Sequence, residues 1–274
     1  MAACFNYVEG EMRNSTFAVF SRGASLALTA AFVFSMPALA QRPPIRRVLV
    51  TTVKPDRIDD FEAAIKQYNE AYAKITGGRS RTMFQSLTGQ NQYMLVRDYE
   101  KWADLDPGAV TRALAADSQT ARINQRIMSC VESSTMLVEG LLPELSMATR
   151  PAESPKIIRL AHSRVRADKT AEWEAIVKNE LLPAYKKARQ KSVTVRKVRF
   201  GGTTNDYYIS TRMDAWADVE TDSLSKSMGA EPYNAMVARL TAVTEERDVN
   251  LFRFRADLTY TAPATASATS AAAR

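Results

Sequence analysis

The chain has 274 residues, a formal net charge of +7, one histidine and two cysteines. With one histidine, and one cysteine outside the leader, a Ser-His-Asp triad or a multi-histidine metal site is close to excluded. The positive charge bears on solubility and non-specific binding. The basic run from Lys186 to Arg199 lacks the interleaved aromatics of a nucleic-acid groove, so it reads as the solvated end of a helix followed by an exposed strand, and no nucleic-acid partner is expected.

In chain order, residues 1–40 read as a secretory signal peptide. Arg13 and Arg22 supply the basic region, Ala24 to Phe34 the apolar run, and Pro37-Ala-Leu-Ala40 a small-residue cleavage site before Gln41. Glu9 and Glu11 do not suit such a basic region, so Met12 is the expected start of translation. The apolar run is too short to span a bilayer, and no other segment could do so. These features predict a periplasmic or secreted protein with no membrane association after cleavage. Cys4 lies in the leader, which leaves Cys130 alone, unable to form an internal disulfide. Its place at the end of an apolar helix predicts a small buried hydrophobe.

Residues 41–147 begin with a strand over 47–53. Asp56 stands where an N-cap should, with Asp59 three residues on. Ile58, Phe61, Ile65, Tyr68, Tyr72 and Ile75 then form one apolar helical face, stopped at Gly77-Gly78. A hairpin follows, 81–87 and 92–97, turning at Thr88 to Asn91, then a helix over 110–128 and a strand over 134–142. Residues 148–155 read as a linker.

Residues 156–260 repeat the order. A strand covers 157–165, and Asp168 is placed to cap a helix whose apolar face carries Trp173, Ile176, Val177, Leu181 and Tyr185. Pro183 should kink that helix. A hairpin covers 193–200 and 206–212, Pro232 suits the first position of a second helix, and a strand covers 249–258. The tail, 261–274, is Ala, Thr, Ser and Pro with a terminal Arg, and is expected to be disordered.

The two halves also match residue by residue. Val53-Lys-Pro-Asp-Arg-Ile-Asp-Asp-Phe-Glu-Ala answers Val165-Arg-Ala-Asp-Lys-Thr-Ala-Glu-Trp-Glu-Ala, at an offset of 173 − 61 = 112. Asn91-Gln-Tyr-Met-Leu-Val with Trp102-Ala-Asp answers Asn205-Asp-Tyr-Tyr-Ile-Ser with Trp216-Ala-Asp, at 216 − 102 = 114. The chain is therefore an internal duplication of a βαββαβ unit, the ferredoxin-like plan. Strands with apolar residues in both registers, such as Val48/Leu49, Leu95/Val96 and Leu251/Phe252, imply cover on both faces. The predicted fold class is α+β: two tandem ferredoxin-like repeats packed sheet to sheet, one chain acting as its own pseudo-dimer.

This duplicated βαββαβ pattern, with a first helix of the type Trp173-Glu-Ala-Ile-Val-Lys-Asn-Glu-Leu-Leu-Pro-Ala-Tyr185, resembles the dimeric α+β barrel superfamily. That group includes the antibiotic-biosynthesis monooxygenase-like, EthD-like and NIPSNAP-like families. The resemblance covers about residues 46–260. It implies a ligand cavity at the shared face and, in some members, cofactor-independent oxygenation. It does not fix function.

No zinc, phosphate-binding, calcium or nucleophile-elbow motif is present, and neither metal nor cofactor is expected. His162 and Arg164 share one register of the strand 157–165, and would act there as a general base and an anion-stabilising group. Tyr93 and Tyr207, at matching positions of the two halves, are assigned to the same cavity. The other reading of His162 is a hydrogen-bonded structural residue. Val50 and Thr52 replace it and Arg164 in the first half, so any such site is asymmetric. Trp102 and Trp216 are expected as packing anchors. Two functions fit: a small-molecule-binding, oxygenase-like protein, or a non-catalytic periplasmic module.

Overall fold

A computed structural model of the chain describes residues 43–75, 78–106, 108–147, 155–220 and 223–263. The signal segment, Gly77, most of the linker and the tail from 264 onward lie outside the described residues. The first repeat contains β1 (Ile45–Val53), α1 (Ile58–Ala73), β2 (Thr82–Ser86), β3 (Gln92–Tyr99), α2 (Ala109–Ala116), α3 (Ser118–Cys130) and β4 (Val131–Leu141). The second contains β5 (Ile157–Val165), α4 (Thr170–Ile176), α5 (Leu182–Lys187), β6 (Val193–Phe200), β7 (Asp206–Met213), α6 (Ala217–Glu220), α7 (Ser223–Met228), α8 (Ala230–Val243) and β8 (Thr244–Phe254).

The eight strands close into one antiparallel barrel in the order β1-β3-β2-β8-β5-β7-β6-β4. Each repeat contributes a ferredoxin-like sheet of order 4-1-3-2. The two sheets join edge to edge through β2 with β8 and β4 with β6. Closure leaves no unpaired edge, which an isolated repeat would have on both sides. It also corrects the reading of the basic run. β6 is a seam strand rather than an exposed one, and Arg196 on it is buried with its Nη2 donating to the Pro43 carbonyl at 2.9 Å.

Strand alternation sorts side chains to two faces. Val48, Phe84, Met94, Val96, Leu137, Val198 and Phe252 point inward and fill the barrel axis. The opposite register faces the helices. There Phe61, Ile65, Met83 and Tyr93 form the core of the first repeat. Trp173, Val177, Val195, Tyr207, Met236 and Leu240 form that of the second.

The repeats also clasp each other. The turn Pro143–Leu145 follows β4 but places Leu142 and Leu145 in the helix-side core of the second repeat. The matching turn Ala256–Leu258 follows β8 and places Leu258 in the core of the first. Leu145 and Leu258 are 2% and 1% exposed. Truncating either would cost about 2–5 kcal/mol.

Several local expectations shift. Asp56 and Asp168 sit inside short 3-10 turns, Pro55–Arg57 and Ala167–Lys169, and the N-cap positions fall on Arg57 and Lys169 without side-chain caps. The helix α1 ends at Ala73, ahead of the glycine pair. The single helix expected over 110–128 is broken at Asp117, whose carboxylate accepts from the Thr120 amide at 2.8 Å and caps α3. Pro183 does not bend a continuous α-helix. A π-helical segment, Val177–Leu181, precedes it and absorbs the missing donor. Pro232 lies in the first turn of α8, two residues after its start at Ala230. The last strand runs earlier than expected, over Thr244–Phe254. Cys130 is buried at the end of α3, as its apolar setting implied. Trp102 and Trp216 are not packing anchors. They are 50% and 53% exposed, and Trp102 meets the exposed Phe200 ring edge to face, with centroids 5.9 Å apart.

Candidate functional site

The residues singled out in the sequence fall on opposite faces of the barrel wall. His162 and Arg164 point into the barrel at one end of its axis. Its Nδ1 lies 2.8 Å from Asp248 Oδ2 and its Nε2 lies 3.1 Å from Asp206 Oδ1. Arg164 Nε donates to the same Asp206 oxygen at 3.0 Å, and its Nη1 pairs with Glu246 Oε2 at 2.7 Å. The imidazole stacks on Tyr208 at 4.9 Å. Both ring nitrogens are engaged by carboxylate oxygens, so neither is left open toward a substrate. His162, Glu246 and Asp248 could bring three ligand atoms within 4.8 Å of one another. Arg164 already supplies the counter-charge there, so the cluster reads as a plug of ion pairs closing the barrel.

Tyr93 and Tyr207 do not share this space. Each is one residue out of register with an inward neighbour, Met94 or Tyr208, so the period of two sends both phenols to the helix side. There Tyr93 packs tilted against Phe61, ring centroids 4.8 Å apart, and Tyr207 against Trp173 at 4.4 Å. Tyr93 Oη donates to Glu62 Oε1 at 2.5 Å, and Tyr207 Oη donates to Glu174 Oε1 at 2.7 Å. Burial, then the carboxylate beside it, pushes each phenol pKa up, so both stay protonated. In the first repeat Glu62 is also clamped by Arg255. One guanidinium nitrogen donates to Glu62 Oε2 at 2.6 Å, and Arg255 pairs with Asp257 as well. Arg255 holds the Glu62 carboxyl below the usual range.

The axial cavity expected between the sheets is occupied by the inward core described above. The space lies instead on the helix side of the first repeat, between its sheet and α1 and α3. This cleft has a volume of about 240 Å³, and Tyr93, Met83 and Leu95 line it. Met128 and Met136, 61% and 52% exposed, also border it. The equivalent space in the second repeat is about 40 Å³.

Residue identity explains the difference. Phe61 becomes Trp173, and that indole is fully buried. Cys130 and Val243 each end the helix before the last strand, 113 residues apart, so Asn124 answers Val237 and Ile127 answers Leu240. Leu224 from α7 packs on the second core as well. The sheet floor differs more. Arg47 pairs with Arg97 across β1 and β3. Arg81 lies one rung beyond the Thr82–Val96 pair, next to Arg97. The corresponding row in the second repeat is Arg159, Thr211 and Val193, paired in that order. Thus three arginines stand side by side on the floor of the open cleft, where the filled one has one.

The Arg81 end of that row is dry. Arg81 is 5% exposed, with its guanidinium 4.4 Å from the Tyr68 ring and 5.2 Å from Tyr72. Its Nη1 donates to Asn69 Oδ1 at 3.3 Å. The Nε atoms of Arg81 and Arg97 are buried without a hydrogen-bond partner among the described residues. Burial first, then Arg97 and Arg47, pushes the Arg81 pKa down to about 10. Sequence reasoning passed over this row because its members are 34 and 16 residues apart; only strand pairing makes them neighbours.

No family model matches the sequence, and no curated protein matches it either. Solved structures do. A proposed monooxygenase from Lactobacillus acidophilus NCFM is 12% identical, with a TM-score of 0.51, covering 80% of this chain and 96% of that one. A proposed monooxygenase from Fusobacterium nucleatum is 12% identical, with a TM-score of 0.53 over 81% and 99%. An anthrone oxidase-like protein is 12% identical, with a TM-score of 0.55 over 78% and 92%. At such identity the likeness is one of fold, and it spans both repeats. The chain shares the fold of these structures, here a closed eight-stranded antiparallel barrel built from two ferredoxin-like repeats within one polypeptide.

Proposed function

We propose that the protein binds a small organic molecule in the helix-side cleft of its first repeat, and that the second repeat is the structural half. One observation carries this reading: the space between sheet and helices beside the buried Tyr is about 240 Å³ in the first repeat and about 40 Å³ in the second, where the larger groove of about 700 Å³ lies further along, past Tyr185 toward Arg189 and Asp214. A chance packing defect would not come with a matching change of floor chemistry, from Thr211 and Val193 to Arg97 and Arg81. The cleft is a little smaller than a typical drug-sized site, which sets the ligand at the size of one or two fused rings. Oxygenation of that ligand is the activity we assign to the cleft, on the analogy of the fold neighbours named as monooxygenases. Tyr93 would orient the substrate rather than deprotonate it, because its proton is committed to Glu62.

The test is a thermal-shift and calorimetric screen of the mature chain against naphthalene- and quinone-like compounds, followed by oxygen-consumption assays on any that bind. Phe61→Trp, which installs the residue of the filled repeat, should abolish binding. A response that survives this substitution would place the ligand elsewhere and sink the reading. We further propose that the protein works outside the cytoplasm, on the strength of the leader pattern in residues 12–40. Cell fractionation and N-terminal sequencing of the mature product should give a periplasmic or secreted chain beginning at Gln41. A cytoplasmic chain that keeps the leader would refute this. Among the described residues no helix is long and apolar enough to cross a membrane.

A further inference from the structure

The geometry points to an anion-recognition site on the cleft floor: Arg47, Arg97 and Arg81 together receive the carboxylate of an organic acid whose aromatic or apolar body rests against Met83, Leu95 and the Met128/Met136 rim. This rests on the cleft being the binding site and adds the charge class of the ligand.

The argument begins with the row itself. Like charges directly opposite on one face of a sheet are destabilising, yet Arg47 and Arg97 are directly paired. Strands lie about 4.8 Å apart, so three neighbouring strands bring the three side chains within about 10 Å of one another. Burying a charge without a counter-charge is costly. No carboxylate pairs with Arg47, Arg97 or Arg81 among the described ion pairs, although Arg46, one residue from Arg47 and facing the other way, has Asp98 at 2.7 Å. The stacks on Tyr68 and Tyr72 offset part of the cost for Arg81, but a ring face occupies no N–H donor. The Nε donors of both Arg81 and Arg97 remain buried and unused.

A planar carboxylate meets these requirements together. It supplies the missing charge, and it can take two N–H donors from a guanidinium in a fork. The rest of the cleft specifies the remainder of the ligand. Its walls are mostly apolar or aromatic, and the two exposed methionines are soft, adaptable groups suited to a flat ring. The second repeat reinforces the assignment. There the row reads Arg159, Thr211 and Val193, a single arginine, and the repulsion is gone.

The test uses a matched pair of probes, 2-naphthoate and 2-naphthamide, titrated calorimetrically into the wild type, Arg97→Gln and Phe61→Trp. The pair has nearly the same shape and differs in charge. In the wild type naphthoate should bind on the order of tenfold tighter or more, the usual worth of a charge-assisted hydrogen-bond pair. Arg97→Gln should bring the two probes within about twofold of each other by weakening naphthoate alone. Melting curves establish that the variant is folded. Arg47→Gln, at a less buried end of the row, is the second variant should Arg97→Gln unfold, and it should narrow the gap in the same direction. Equal binding of the two probes to the wild type overturns the anion site while leaving the cleft in place. Binding of neither probe, or of both to Phe61→Trp, overturns the cleft reading and the anion site with it.

Discussion

The two repeats share a plan, a strand order and a Tyr–Glu pair, yet the space beside that pair is filled in one and open in the other. In the second, Trp173 packs on Tyr207, and Tyr185, Met236 and Leu240 complete a dense core. In the first, the smaller Phe61 packs on Tyr93, and polar or charged side chains stand where the other repeat has Val193, Thr211 and Val237. Duplication frees one copy to carry stability while the other departs from tight packing. The cost of a half-empty core is then borne by a barrel that the other half keeps shut.

The comparison can be broken most severely through its cores. Trp173→Ala removes the largest buried side chain of the closed repeat and should destabilise the protein by about 3–5 kcal/mol, read by chemical denaturation. A loss below about 1 kcal/mol would mean that the second repeat is not the rigid half. Leu145→Ala and Leu258→Ala should each cost about 2–5 kcal/mol, since each withdraws a clasp from the opposite repeat. Leu145→Ala should be the costlier, because it opens the denser core.

Acid should separate the repeats more gently. Arg255 lowers the folded pKa of Glu62 and, more strongly, of Asp257. A carboxyl whose folded pKa is depressed contributes stability that is present above its unfolded value and is lost as pH falls through the folded one. The melting temperature should therefore fall as pH drops below about 4.5, the ordinary glutamate value. Glu62→Gln should flatten that slope. An unchanged slope would show that the Arg255 clamp does not couple to folding. Phe61→Trp should be nearly neutral for stability, within about 1 kcal/mol, because the added ring enters existing space rather than a filled core. The smallest effect is assigned to Trp102→Ala, within about 0.5 kcal/mol despite the motif being duplicated, because the indole is half exposed.

Much of the fold was legible in the chain. The strand over 157–165 and the hairpin strand over 193–200 fall where β-branched residues and turn signals put them. The apolar face of α1 buries Phe61, Ile65 and Tyr72 as its spacing implied. These are local properties, set by periodicity within one segment. The site was less legible. His162 drew notice as the lone histidine, but its partners Asp206 and Asp248 lie 44 and 86 residues away and occupy both ring nitrogens. Tyr93 and Tyr207 are a matched pair in the sequence, but a one-residue register decides between helix side and barrel axis, and it turns both phenols away from the expected cavity. The repeated tryptophans misled in the same way, since repetition records ancestry and not burial.

By itself, then, the sequence determined the duplication, the βαββαβ order and the apolar faces, because each is written in short-range spacing. Tertiary structure alone decided three things: that the sheets meet at β2–β8 and β4–β6, that the barrel axis is packed, and that Arg47, Arg97 and Arg81 form one row beneath an open cleft. Strand pairing across distant segments creates such neighbours, and no local pattern encodes it.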